Sequence, residues 1–332
     1  MKFGIRLPNS GPLANSNNIV QVAEEAEGLG FHSAWVHDHI LWGSEQHKTH
    51  LSAGSAEALD ESQRPNFYES VTTLSYVAGR TRNVKLGIAV LVLPLRNPLV
   101  IAKQLANLDV MSGGRLIVGV APGAPSITKQ EFQAVGADYE KRGKITDEYI
   151  AVLKKLWKDN LPSFSGEFAN FSEAQMFPKP LQKNLQILIG GGERGISARA
   201  LRRVVELGDG WVPAYLTPEE VKEGTARVKK EFTSRGRDFC ELTIVHEMFT
   251  AIDTEESNAR SLAAKSLSTN FISVDEGLRR SLVGTPRELK NRLEDYASAG
   301  VDITELKFVY SDIPSLLRMM KLFAEEVKPS FD

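Results

Sequence analysis

The chain has 332 residues, enough for two small α/β units or for one large barrel, since (β/α)8 barrels run to about 250 residues and beyond with insertions. Its composition is that of an ordinary globular protein, with 42% hydrophobic and 25% charged residues, and no apolar run approaches the ~20 residues of a spanning helix. A net charge of −2 leaves no basic footprint for nucleic acid or for an anionic membrane surface, so neither is an expected partner.

The N-terminus, MKFGIRLPNSG, is strand-like over Phe3 to Leu7 and then turns, so it lacks the apolar core of a signal peptide. Ser16 or Asn17 is placed to cap a helix running to Leu29. Ile19, Val22, Ala23, Ala26 and Leu29 share one face, and Gly30 stops the helix. Ser33 to His37 is the second strand, followed at once by Asp38 and His39. A polar loop then covers about residues 40 to 65, a length usual for functional loops. Asn66 caps a helix to Arg80. Val84 to Leu93 is apolar without alternation, which suits a strand covered on both faces. Pro98 starts a helix with Leu99, Ala102, Leu105, Ala106 and Leu108 on its buried face, and Ser112-Gly113-Gly114 ends it. Leu116 to Val120 is the fourth strand, and Gly119, Pro122 and Gly123 mark the loop after it. This βαβ unit implies a right-handed crossover, and the rest of the chain repeats it.

A second long loop reaches about Asp138, and a helix covers Lys141 to Lys158. Residues 160–183 read as an insertion: Phe164, Gly166, Phe168 and Phe171 suggest a short hairpin that Pro178 and Pro180 close. Gln186 to Ile189 is the fifth strand, and a helix follows Gly190-Gly191-Gly192 to Glu206. Gly208-Asp209-Gly210 turns into a sixth strand, Trp211 to Ala214, and Pro218 starts a helix to about Arg235. Leu242 to Ala251 is the seventh strand and Glu255 to Leu267 a helix, while 268–285 is ambiguous. Pro286 begins a helix to Ala299, Ile303 to Val309 is the eighth strand, and Pro314 begins the last helix. Eight strands, each followed by a helix, predict an α/β TIM (β/α)8 barrel as one domain over 1–332, with an open doubly wound sheet as the alternative. The only cysteine, Cys240, excludes an intrachain disulfide and fits a reducing compartment, so a cytoplasmic protein is expected.

In a barrel, function gathers where strands end at the C-terminal face. That rule selects His39, the Ala89 to Val92 region, Gly119 to Gly123, Gly190 to Gly195, Trp211, His246 and Lys307. His39 can exchange a proton near neutral pH, with Asp38 beside it to orient the ring or anchor a ligand; a polar loop histidine is the alternative. His37 and His39 form an H-x-H pair near His47 and His50. Metal-dependent amidohydrolase barrels, however, place that pair after the first strand and add later histidines, and here only His246 follows residue 50, so no metal is expected. Gly190 to Gly195 fits G-x-G-x-x-G between a strand and a helix, which suits a phosphate at exposed amides, and Asp209 falls near the spacing of a ribose-binding acid. A tight turn with close helix packing is the alternative. Trp42 lies in a loop able to cover a planar ring.

With WVHDH at 35–39, LGIAVLVLPLRNPLVIAKQLANLDVMSGGRLIVGVAPG at 86–123, EFQAVGADYEKRG at 131–143, LIGGGERG at 188–195 and GDGW at 208–211, the chain resembles the bacterial luciferase-like family of flavin and deazaflavin oxidoreductases nearly end to end. The resemblance implies a barrel with an inserted segment and a ring cofactor at the mouth. It matches Asp38-His39 to the Asp-His pair of the F420-dependent branch, and it implies a non-prolyl cis peptide at Ala89–Val90, against the back of the ring. Val92 and Pro122 belong to the same cofactor-binding set. Gly191, Gly192 and Gly195 match the phosphate-binding run, and Gly123 matches the loop glycine that approaches the cofactor. One departure stands out: sugar-phosphate dehydrogenases of that branch carry a catalytic Glu where this chain has Ala124, which argues against glucose-6-phosphate oxidation.

The leading expectation is a luciferase-like oxidoreductase that moves hydride between F420 and a small organic substrate, with His39 as the catalytic residue. The alternative is a reduced-FMN monooxygenase. A metal-dependent hydrolase and a non-catalytic cofactor-binding protein are the readings from other classes. The family also implies a homodimer.

Overall fold

A computed structural model describes residues 1–41, 66–192, 194–239 and 242–331. Eight parallel strands, Lys2–Arg6, Ser33–Val36, Lys85–Val92, Leu116–Ala121, Ile187–Gly190, Gly210–Val212, Thr243–Ile252 and Ile303–Phe308, lie side by side in chain order. The ring closes where the first strand pairs with the eighth, Phe3 against Thr304, and the sixth with the seventh, Trp211 against Ile244. An open sheet would leave two free edges, so closure excludes the doubly wound alternative. A ninth short strand, Leu282–Gly284, pairs only with the outer end of the seventh, Leu282 against Thr250.

The strands are apolar along their length because helices cover the outside while side chains fill the inside. The inner floor is Trp35, Ala89, Leu188, Val212, Val245 and Ile303. Trp35 is fully buried, and its indole lies so close to the third strand that a Cβ at Gly87 would stand 2.1 Å from Cε3, so only glycine fits there. Outside, Leu74, Leu105, Leu153, Phe232 and Phe323 are wholly buried between helix and strand.

The structure departs from the sequence reading in four places. Asn15, not Ser16 or Asn17, caps the helix Ser16–Gly28, its side chain accepting from Asn18 N at 2.9 Å. Asn66 caps nothing: Asn66–Phe67 pairs antiparallel with Ser10–Gly11, and the helix Ser70–Arg80 is capped by Glu69, which accepts from Thr72 N at 2.7 Å. The second long loop contains a helix, Pro125–Val135, with proline in its first turn and Gly136 ending it at φ 71°. The ambiguous 268–285 stretch holds the end of the helix Glu256–Asn270, the short helix Val274–Arg279 and the ninth strand. Within 160–183 the hairpin pairs Phe164–Ser165 with Asn170–Phe171, and the Phe164 and Phe171 rings stack at 6.0 Å. Among the described residues, no helix is long and apolar enough to cross a membrane.

Candidate active site

The second strand ends at Val36, and His39 follows it at the mouth of the barrel. Its Nδ1 lies 2.8 Å from Glu131 Oε2, and its ring stands edge-on to Phe67 at 5.5 Å. Glu131 is fully buried, on the helix Pro125–Val135. Its other oxygen accepts from the amides of Ile40 at 2.6 Å and Leu41 at 3.1 Å. One carboxylate thus fixes both the ring and the chain just after it. An imidazole that donates from Nδ1 to a carboxylate carries its lone pair on Nε2, the arrangement of an oriented general base. Glu131 stands seven residues, about two helical turns, beyond Ala124, so the two positions share a face.

Asp38 is buried and serves the protein itself. Its oxygens accept from Ser70 Oγ at 3.0 Å, Val92 N at 2.9 Å, and Arg96 Nη1 and Nη2 at 2.7 and 2.5 Å. Burial raises its carboxyl above the usual range, against the pull of Arg96 and the Val92 amide. These bonds tie the end of the second strand to that of the third. The third strand carries the cis peptide at Ala89–Val90, where pairing with the fourth strand shifts register between Ile88 and Leu91. Val90 reaches across to glycines of the next two strands: a Cβ at Gly119 would stand 3.0 Å from Val90 Cγ1, and one at Gly190 would stand 2.9 Å from it. Pro122 and Gly123 follow the fourth strand, partly exposed.

Beyond the fifth strand the chain passes through Gly191 and Gly192 at φ 148° and 111°, values side-chain-bearing residues rarely adopt. Gly191 O accepts from the buried Trp211 indole at 2.6 Å, and Gly195 leads into the helix Ala198–Leu207, capped by Ser197. Three glycines, Gly191, Gly192 and Gly195, thus stand before a helix N-terminus, which suits an anion. Asp209 does not belong here. It precedes the sixth strand, at the opposite end of the barrel, where it accepts from Ile187 N at 2.9 Å and pairs with Lys154.

The opposite wall is ionic. Arg6 of the first strand pairs with Glu305 of the eighth and, at 2.8 Å, with Glu247 of the seventh; His37 also contacts its guanidinium. Tyr215, after the sixth strand, donates to Glu247 Oε1 at 2.5 Å and accepts from Lys307 Nζ at 3.1 Å. Burial pushes the Glu305 carboxyl up to about 7 against the pull of Arg6, and it pushes the Lys307 ammonium down to about 8 against the pull of Glu247. Burial works against the charge on Arg6, but Glu247 and Glu305 together raise its affinity for the proton. His246 faces away from the mouth. It is fully buried, accepts from Leu216 N at 3.0 Å, stands 5.0 Å from the Tyr296 ring, and is held neutral by burial, its pKa about 3.

The structure therefore brings His39, the Ala89–Val92 segment, Gly123, Gly191, Gly192, Gly195 and Lys307 to one end of the barrel, with Asp38 beneath as a support. Asp209 and His246 fall outside that set. Among the described residues no cluster of His, Cys, Asp or Glu could hold a metal; His47, His50 and Trp42 lie outside them. Sequence reasoning passed over Glu131, Arg6, Tyr215, Glu247 and Glu305. A signal existed for the last of these: Glu305 and Lys307 interrupt an apolar strand with a spacing that places both on one face.

A model of the luciferase-like monooxygenase family matches residues 1–276. The FMNH(2)-dependent dimethylsulfone monooxygenase of Pseudomonas putida is 28% identical over 282 residues, covering 74% of this chain and 75% of that protein. Two solved structures share the fold. Monooxygenase RslO1 from Streptomyces bottropensis superposes with a TM-score of 0.79 at 24% identity, covering all of both chains. An F420-dependent secondary alcohol dehydrogenase superposes with a TM-score of 0.81 at 17% identity, covering 100% of this chain and 99% of that one.

Proposed function

The chain belongs to the luciferase-like monooxygenase family, and from that membership we propose that it is an F420-dependent oxidoreductase acting on a small organic substrate, with His39 as its proton-exchanging residue. The single observation that carries the reading is the buried Glu131 carboxylate 2.8 Å from His39 Nδ1, which orients the imidazole at the barrel mouth. The residues fit a ring cofactor with a phosphate tail. The Ala89–Val90 segment, with Gly119 and Gly190 beside it, offers an apolar seat, and Gly192 and Gly195 offer backbone amides ahead of a helix N-terminus, the Gly191 amide being taken by Val212 O at 3.2 Å. When bound, the cofactor supplies the hydride chemistry. His39 takes up or releases the substrate proton at Nε2. Glu131 holds the ring by Nδ1 and steadies the positive charge the ring gains. Asp38, through Val92 and Arg96, keeps the end of the third strand in place beneath the seat.

The reduced-FMN monooxygenase reading is the alternative, favoured by the P. putida relative. In that case His39 would assist as a base while oxygen is consumed. The test is titration of the protein with F420 and with FMN, each oxidised and reduced, followed by absorbance and fluorescence. Saturable F420 binding that weakens in Gly191→Val, with the fold intact, supports the proposal. Tight FMN binding without F420 binding transfers it to the monooxygenase. Binding of neither overturns both.

A further inference from the structure

Lys307 is buried to 8% exposure in the ionic wall, near the C-terminal end of the eighth strand, and nothing in the proposed chemistry employs it. An ammonium has three protons to donate. Among the described residues Lys307 hydrogen-bonds the Tyr215 hydroxyl at 3.1 Å and forms an ion pair with Glu247 Oε1 at 3.8 Å, which leaves it a donor over. The remaining surround is aromatic. The Phe249 ring centroid lies 4.4 Å from Nζ and that of Tyr215 lies 5.7 Å away. Two further buried atoms of this wall, Arg6 Nη2 and Glu305 Oε2, have no hydrogen-bond partner among the described residues, the first being held by its ion pair with Glu247. Buried polar groups are normally satisfied, so a layer with unmet donors on Lys307 and Arg6 and an unpartnered Glu305 oxygen is suited to receive a polar group.

The tyrosine is held firmly in place. Tyr215 has φ 57°, a left-handed value uncommon for an aromatic residue. Its amide donates to Glu247 O at 3.0 Å and its carbonyl accepts from Arg280 at 3.1 Å. The next residue is clamped as well, Leu216 N donating to His246 and Leu216 O accepting from the Tyr296 hydroxyl at 2.7 Å. This gives the buried His246 a purpose: it fixes the turn that sets Tyr215 against Lys307.

We propose that Lys307, positioned by Tyr215 and Glu247, anchors an acceptor oxygen of the substrate, which is therefore a small molecule with a carbonyl or carboxylate end and an apolar body lying along Tyr215. The inference rests on the reading of this mouth as the reaction site. Lys307 has only donors to give, which excludes a cationic end; the aromatic rings beside it favour an apolar body. The groups facing the anchor are Arg6, His37, Tyr215, Glu247 and Glu305. Counting Arg6, Glu247, Glu305 and Lys307, the wall carries one net positive charge while Glu305 keeps its proton, none once Glu305 ionises near 7, and one negative charge after Lys307 deprotonates near 8. A carboxylate is therefore held best on the acid side and released as pH rises through that interval.

The test is calorimetric titration of cofactor-free protein with benzoate and with acetophenone, which share a ring and differ in the charge on the acceptor oxygen. At least one is expected to bind, and the stronger of the two names the class. Lys307→Met is expected to weaken the bound probe tenfold or more, in line with loss of a charged hydrogen bond. Tyr215→Phe, which keeps the ring and unseats the lysine, is expected to weaken it several-fold, with circular dichroism unchanged. Benzoate affinity is expected to fall between pH 6 and pH 9. Binding of neither probe, or equal binding by wild type, Lys307→Met and Tyr215→Phe, overturns the inference. No cofactor is present, so the outcome is independent of whether F420 or FMN binds.

Discussion

The two sides of the barrel mouth follow opposite rules. On the third, fourth and fifth strands the lining is Ala89, Val90, Gly119 and Gly190, without a charge and with side chains pared away until Val90 rests against backbone. On the first, seventh and eighth it is Arg6, Glu247, Glu305 and Lys307, four ionisable groups buried together. An apolar wall stripped to glycine can accept the face of a planar ring but gives it no direction. A wall of paired charges gives direction but tolerates no loss of a partner. The second strand lies between the two walls in the ring, and His39 follows it, at the seam where a ring on one side and a polar substrate group on the other can both be reached.

The largest effect is expected at the seam. His39→Ala should lower single-turnover rate by ~10² to 10⁴ while cofactor affinity changes far less, because the contacts proposed for the ring and phosphate come from other strands. Glu131→Gln should lose rate too, but less than His39→Ala, since an amide still accepts at one oxygen yet no longer balances a positive ring. Full activity in His39→Ala would remove the seam from the account.

Next comes the ionic wall. Arg6→Met should cost about 3–5 kcal/mol of unfolding free energy in urea melts, because Glu247 and Glu305 lose the cation that compensates them. A cost near zero would mean that the charges are not interdependent.

The apolar wall should respond to size instead of charge. In Gly119→Ala the new Cβ would stand 2.6 Å from Ile88 O, and the expected loss is about 1–3 kcal/mol, with weaker cofactor binding. Unchanged stability and binding would show that the wall yields.

The smallest effect is a pH dependence confined to the ionic wall. Glu305 holds its proton more tightly folded than unfolded, so its contribution to stability is full below about 4.5 and is lost as pH rises through about 7. Lys307 is the reverse case, weakening the fold below about 8 and ceasing to do so toward 10.5. The two together place a dip in unfolding free energy between about 7 and 8. The difference between wild type and Glu305→Gln, measured from pH 5 to pH 8, should change in that direction, and a flat difference would contradict it.

Much of the frame was legible in the chain. Strands buried on both faces are continuous apolar runs, and prolines and glycines punctuate the helices, so eight βα units could be read in order. Short-range chemistry misled where neighbouring side chains compete to cap the same helix. Asn15 won the first cap over Ser16, and Asn66 entered a two-residue pairing that no local pattern signals. The helix Pro125–Val135 hid because Ala124 gives it no capping side chain. Within the site, His39 was legible from its place after a strand. Its partner Glu131 was not, because a contact across 92 residues leaves no local trace. Asp38 illustrates the same limit: its place beside His39 suggested a ligand contact, whereas Arg96 and Ser70, distant in the chain, claim its oxygens.

The most direct measurement is a crystal structure with F420 bound. The account predicts the ring lying on Ala89–Val90 with its phosphate at Gly191 to Gly195 and His39 within hydrogen-bond reach of the substrate side. A ring stacked instead on Tyr215 and Phe249, with the Ala89–Val90 seat bare, would contradict it.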